Sequence, residues 1–274
     1  MATTRSGRRH FLALSCAALA SACARPMEAP EPLDDVTRFG FQPVEGYGLI
    51  EDGGHIIPPV PPQYLQWPNR RQRFIYEGGD PAHSIVIDPH AKFLYYVLDD
   101  GTAWRYPIAV GRAGLSLRST TVVRAKKEWP GWQPTANMLR TQPEVYGPFA
   151  RGIPGGPASP LGARALYLYR GKRDTHYRIH GTNDLESIGN SGSAGCIRLF
   201  NHDIIHLYDL VDIPTTVYVR SAEESLRLLG PALSPRGVEL PPKIISPETI
   251  YGATDIVAAD GMPPDPDGVL TRLE

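Results

Sequence analysis

Two side chains in this sequence could do covalent chemistry together, His180 and Cys196. The histidine ends an alternating run, Tyr177-Arg178-Ile179-His180, that predicts a strand. The stretch Ser193-Ala194-Gly195 leads to the thiol, and the residues from Asn201 predict a helix. A thiol is weakly ionised at neutral pH and needs a base or a positive charge beside it to act as a nucleophile, so a cysteine and a histidine on neighbouring elements suit acyl transfer. Small residues before Cys196 let backbone N–H groups converge on one point, as an oxyanion requires. A buried cysteine is more often inert packing and a lone histidine a satisfied core residue, so the pair alone leaves both readings open. Arg198 falls two residues past the thiol and on its side of an extended chain. It is a candidate for binding a substrate carboxylate through two parallel hydrogen bonds, with a structural ion pair as the alternative.

The cysteine count sharpens the first reading. The chain has 274 residues and three cysteines. Arg8-Arg9-His10-Phe11-Leu12 precedes an alanine-rich apolar run to Ala24 that is too short to span a bilayer, so residues 1–24 predict a twin-arginine-like export signal. Ala20-Ser21-Ala22-Cys23 resembles a lipobox, which would anchor the protein by lipid at Cys23; ordinary cleavage after Ala22 or Ala24 is the alternative. Either way a periplasmic location outside the cytoplasm is expected. Cys196 is then the single cysteine of the folded part, with no partner for an intradomain disulfide. An unpaired thiol in an oxidising compartment is a liability unless buried or used.

The remaining chain divides into segments that must hold this pair. Formal net charge is −1, which excludes a global field for nucleic acid or an anionic membrane, and 28 prolines with 27 glycines point to a loop-rich, mostly β chain. Residues 25–72 are proline-rich and aperiodic, and are expected to be an extended linker or wrapping segment with little core of its own. From 73 to 220 the strand-like runs Ser84 to Asp88, Phe93 to Leu98 and Ala103 to Val110 form a meander, the last two joined by the turn Asp99-Asp100-Gly101. Pro107 marks an edge or bulge. Arg124, Lys126 and Lys127 alternate with Trp129 and Trp132, a mixture that could stack on sugar rings or form a solvated strand edge. Residues 147–162 must be an irregular loop, and Ala165 to Tyr169 and Val217 to Val219 complete the strands.

Asn201 is the expected cap of a helix to about Val211, with Ile204, Ile205, Leu207, Tyr208 and Val211 on its apolar face. His202 and His206 lie opposite; their i, i+4 spacing could hold a metal, but no glutamate follows the first, and a solvated face is expected, so no metal and no cofactor is assigned. Ser221 with Glu224 predicts a capping box for a short helix ending at Gly230-Pro231, within a proline-rich extension over 221–274 that is otherwise expected to be irregular.

His180 and, after 15 intervening residues, the Cys196 that ends Ser193-Ala194-Gly195-Cys196 resemble the signature of the L,D-transpeptidase catalytic domain of the YkuD type. Ile179, Gly181-Thr182-Asn183, Ile188-Gly189, Ile197-Arg198, Asn201, Asp203, Leu207-Tyr208 and Val211 also stand where members carry them. Glu128-Trp129-Pro130, Trp132, Pro134, Met138 and Pro160 to Ala163 resemble the proteobacterial branch. One departure is Ala194, where many members have histidine and others serine. The resemblance implies a twisted β-sandwich with one or two short helices and the thiol at the rim of a groove. It implies peptidoglycan stem peptides as substrate, Cys196 as nucleophile, His180 as base, the Gly181 carbonyl orienting the imidazole, and backbone N–H groups around Ala194, Gly195 and Cys196 as the oxyanion site. The acyl acceptor stays open: an amine on another stem, an outer-membrane protein or lipoprotein, or water, which would make a carboxypeptidase or amidase. A non-catalytic wall-binding lipoprotein is the rival of a different class.

Overall fold

The computed structural model describes residues 39–111, 120–192, 196–251 and 271–272. The runs read as strands fold as strands because they carry branched and aromatic side chains between turn formers. β1 (Ile50–Asp52) and β2 (His55–Ile57) form a separate hairpin. β4 (Ile85–Asp88), β5 (Phe93–Val97) and β6 (Thr102–Pro107) form the expected meander, with the Asp100 carboxylate accepting the Thr102 N–H at its turn, and β3 (Gln72–Ile75) pairs with the outer edge of β6. Pro107 ends β6, and β7 (Ala109–Val110) then pairs with different strands, so the proline sits at a change of partner.

Next come β8 (Thr121–Glu128), β9 (Trp132–Gln133), β10 (Arg164–Arg170), β11 (Arg173–His180), β12 (Ser191–Gly192), β13 (Ile197–Arg198), β14 (Thr215–Val219) and β15 (Glu239–Leu240). One hydrogen-bonded ladder runs in the order β15-β12-β7-β13-β11-β10-β8-β14-β4-β5-β6-β3. It curls on itself. Ile85, Leu94 and Tyr106 towards one end and Leu166, Ile179 and Ile197 towards the other meet in a single core, joined by Ile204 and Leu207 of the Asn201–Leu210 helix. Each such aliphatic side chain, removed from water, contributes about 1.5–3 kcal/mol. The fold is mostly β, as expected. Its described residues hold five short helices rather than one or two, because Ala136–Thr141, Pro143–Tyr146 and Pro247–Tyr251 are too brief to show a period in the sequence.

Of the two readings of residues 25–72, the described part, 39–72, takes the wrapping one: Tyr47, Val60 and Leu65 are buried against Ala109, Leu185, Ile188 and Phe200 in a second core. Three expectations need correction. The polar face of the Asn201–Leu210 helix is not solvated, because this segment covers it. His202 Nε2 donates to the Gly48 carbonyl (2.6 Å), Tyr106 Oη meets His206 Nδ1 (2.7 Å), and Asp203 accepts from Arg71 and Tyr47. Asn201 is not the cap. Phe200 occupies that position, and the Asn201 amide oxygen instead accepts the Ala163 N–H (2.9 Å). The strand that carries Arg124, Lys126 and Lys127 is not an edge, because β8 pairs with β10 on one side and β14 on the other. Lys126 Nζ donates to the last helix carbonyls, Tyr208 and Val211, while Trp129 Nε1 and Arg164 both bind Asp52. The capping box at Ser221 and Glu224 forms as read.

Candidate active site

β-Strand geometry places the two reactive side chains together. β11 and β13 are parallel neighbours, with Ile179 opposite Ile197 and His180 opposite Arg198. Successive side chains of a strand point to opposite faces. Ile179 and Ile197 enter the main core, so His180, Cys196 and Arg198 share the other face. All three line one small pocket of about 50 Å³, partly open to solvent, along with Trp132, Met138 and Tyr146.

The imidazole is oriented by backbone. His180 Nδ1 lies 2.5 Å from the Gly181 carbonyl oxygen, which can only accept; Nδ1 therefore carries the proton and Nε2 keeps its lone pair. Gly181 is itself fixed: its N–H donates to the Arg164 carbonyl (3.1 Å), and a Cβ there would collide with the Asn201 amide oxygen and press on Ile204 and the Ala163 N–H. Asn201, read as a helix cap, thus holds the turn that aims the histidine.

Burial sets the protonation state. His180 is 3% exposed, and desolvation lowers its pKa to about 3; the Arg198 and Arg178 charges act in the same direction, the Gly181 and Leu161 carbonyls against them. Burial likewise raises the Cys196 thiol, opposed by a backbone hydrogen bond from Arg178 and by the charges of Arg178 and Arg198. Both shifts favour a neutral thiol and neutral imidazole over a resting ion pair. Such a pair transfers the thiol proton to Nε2 as sulfur attacks a carbonyl, which is general-base nucleophilic catalysis.

Arg198 is buried and held. One Nη donates to Asp184 Oδ2 (3.1 Å) and the other to the Gly192 carbonyl (3.1 Å), so the ion-pair alternative is realised, at a position that still lines the pocket. The Asp184 turn is tied in turn: its N–H donates to Thr182 Oγ1 (3.0 Å), and Asn183 Nδ2 to the Pro157 carbonyl (2.7 Å).

Ser193, Ala194 and Gly195 lie outside the described residues, as do Cys23 and the export segment. Cys196 is a free, buried thiol. No cluster of metal-ligating side chains occurs among the described residues.

The sequence reading missed one wall of the site. The extension expected to be irregular adds β15 parallel to β12, with Ser191 opposite Glu239 and Gly192 opposite Leu240. Gly192 has φ +143°, and any Cβ would strike the Leu240 carbonyl. Lys243, Ile244 and Ile245 then line the pocket, and Ile244 packs against the apolar cluster made by Trp132, Met138, Tyr146, Leu161 and Cys196. Trp132 and Met138 were visible through the resemblance; the aperiodic, proline-rich tail carried no signal for Lys243 to Ile245.

Comparisons with known proteins agree with this geometry. The model of the L,D-transpeptidase catalytic domain, YkuD, matches residues 82–219. The probable L,D-transpeptidase ErfK/SrfK of Escherichia coli (strain K12) is 38% identical over 137 residues, 49% of this chain and 43% of that protein. The chain therefore spans less than half the length of that relative. Bacillus subtilis (strain 168) YqjB is 31% identical over 153 residues, 53% of this chain and 77% of that protein. The crystal structure of a probable carnitine operon oxidoreductase from Brucella melitensis is 45% identical, covering 55% of this chain and 94% of that one at a TM-score of 0.40; at that score the superposition carries no argument. With its family model matched over half the chain, and a histidine and cysteine placed by that domain in one pocket, this chain belongs to the L,D-transpeptidase catalytic domain family of the YkuD type.

Proposed function

We propose that the protein is a peptidoglycan L,D-transpeptidase acting on tetrapeptide stems. The observation that carries this reading is the 2.5 Å contact of His180 Nδ1 with the Gly181 carbonyl oxygen, which assigns the proton to Nδ1 and so leaves Nε2 as the base in the pocket that holds Cys196. Nε2 takes the thiol proton while Sγ attacks the carbonyl carbon between the diamino acid and the terminal D-Ala. Collapse of the tetrahedral intermediate breaks the C–N bond. The imidazolium protonates the leaving amine, and a thioester remains on Cys196. An acceptor amine then attacks the thioester, gives its proton to Nε2, and the thiol is restored as the new amide forms. Backbone N–H groups at Ala194, Gly195 and Cys196 take the oxyanion in each half-reaction. No step needs a metal or organic cofactor.

The acceptor is an amine of a second stem or of a surface protein, and the enzyme works in the periplasm after export, with Cys23 as a lipid anchor. Incubation with defined tetrapeptide muropeptides, followed by mass spectrometry, tests the chemistry. The expected result is loss of D-Ala, a Cys196 acyl adduct and a product joined to an amine. An adduct resolving only to the tripeptide acid would assign water as acceptor, and no adduct at all would reject the enzyme. Mass spectrometry of the mature N-terminus tests lipidation, which a chain starting at Arg25 would refute.

A further inference from the structure

The pocket beside Cys196 holds more than the family domain supplies, and the extra wall is charged. Its described lining carries two cations and one anion, Arg198, Lys243 and Asp184, while His180 is neutral. Glu186, beside the lining, pairs with Lys243 and balances that positive charge, so an anionic group on the entering peptide is accommodated where it takes the place of Glu186.

The two cations are not equally able to meet it. Both Nη groups of Arg198 have partners, Asp184 Oδ2 and the Gly192 carbonyl, and its side chain is 8% exposed. Breaking a buried pair leaves an uncompensated charge, so Arg198 is a poor exchanger of partners. Lys243 differs. Its side chain is 35% exposed, and Nζ sits 2.6 Å from Glu186 Oε2 and 3.5 Å from Asp184 Oδ1, the former on a side chain 62% exposed. An exposed ion pair contributes little, so a peptide carboxylate can replace Glu186 at small cost.

The lysine is also held in place. Upstream, Ser191 N–H donates to the Val238 carbonyl, Val238 N–H donates to Asn190 Oδ1, and β15 pairs with β12. Downstream, Ile244 packs against the apolar cluster that includes Cys196 and lines the same pocket. Lys243 is thus carried into the site by an extension outside the 82–219 span of the catalytic domain.

We propose that Lys243 is a specificity-determining residue that binds a free carboxylate of the acyl-donor peptide, a role that Arg198, tied to Asp184 and Gly192, does not fill. This inference rests on the stem-peptide reading for its ligand, and its test is arranged to fail separately. Binding is measured first, in full-length Cys196→Ala protein, which needs no chemistry. The probes are a tetrapeptide stem with all carboxylates free, one amidated at its C-terminus, and one amidated on the diamino acid side chain. The expected result is that Lys243→Met weakens the free peptide by about 10- to 100-fold, the range of one charge-assisted hydrogen bond, and leaves one amidated peptide unchanged. The insensitive peptide identifies the carboxylate. Lys243→Arg should restore most of the affinity, and Lys243→Glu should favour the amidated form. With Cys196 restored, the same variants should raise KM for the free peptide while kcat stays within about threefold. Equal losses on all three peptides, or none on any, would overturn the assignment. Peptide binding that depends on Lys243 without any acyl adduct in the wild type would keep Lys243 and reject the transpeptidase.

Discussion

At the scale of single residues, catalysis starts from a neutral pair, His180 and Cys196. Cys196→Ala and Cys196→Ser should both abolish the acyl adduct with unchanged thermal unfolding, because a serine hydroxyl ionises far less readily than a thiol. His180→Ala should slow adduct formation by about 10²- to 10⁴-fold, the usual range for a general base. A second consequence separates the neutral pair from a resting thiolate–imidazolium. Because burial holds His180 near a pKa of about 3, Nε2 is already free to accept a proton throughout the weakly acidic range. The single-turnover acylation rate should therefore show no acid limb near 6.5, the ordinary histidine value, and stay level between about pH 5.5 and 7.5 while the protein is folded. A tenfold fall over that interval would assign the working base a normal histidine pKa and overturn the neutral pair.

At the scale of elements, the segment around Leu65 gives the clearest test of packing against tethering. Leu65 is fully buried with Tyr47, Val60, Leu185, Ile188 and Phe200. Leu65→Ala should cost about 2–5 kcal/mol in urea unfolding, the range for emptying a core leucine site; a cost near zero would return the segment to a mere tether. The sequence showed what local pattern can show. Branched and aromatic runs marked β4, β5, β6, β10 and β11, and the Ser221–Glu224 pair marked its helix, because each signal is written within a few residues. It did not show what depends on distant partners. Asn201 looked like a cap until Ala163, 38 residues away, took its oxygen. His202 and His206 looked solvated because nothing local announced the strand-poor segment, carrying Tyr47, Gly48 and Arg71, that lies over them. The catalytic pair was legible as residue types and spacing; the tail that brings Lys243 to it was not, since β15 is two residues long and its pairing with β12 spans 48 positions.

At the scale of the whole molecule, the same covering segments bury titratable groups, and that fixes how stability responds to acid. His180, His202 and His206 are held neutral by desolvation, with folded pKa values of about 3, 4 and 4, and half-exposed His55 is shifted the same way. In the unfolded chain each titrates near 6.5. Between pH 6.5 and about 4.5 the unfolded state therefore binds protons that the folded state refuses, and stability present above 6.5 is lost as pH falls. Asp203 opposes this. Burial lifts its folded pKa to about 7 against Arg71 and the Tyr47 hydroxyl, so over the same window it is protonated when folded and ionised when unfolded, which favours folding as pH falls. The two deeply buried histidines, His180 and His202, against one aspartate leave about one proton, a slope of roughly 1.4 kcal/mol per pH unit, to which half-buried His206 adds less because solvent screens it. Urea midpoints measured from pH 7 to 4.5 should fall steadily. His202→Gln should flatten the slope by close to one proton, because the amide still donates to Gly48 but no longer titrates. Asp203→Asn should steepen it by about the same amount, since the opposing group is gone. Stability that held level or rose on acidification, or two variants that moved the slope in the same direction, would show that these buried groups do not carry the pH dependence.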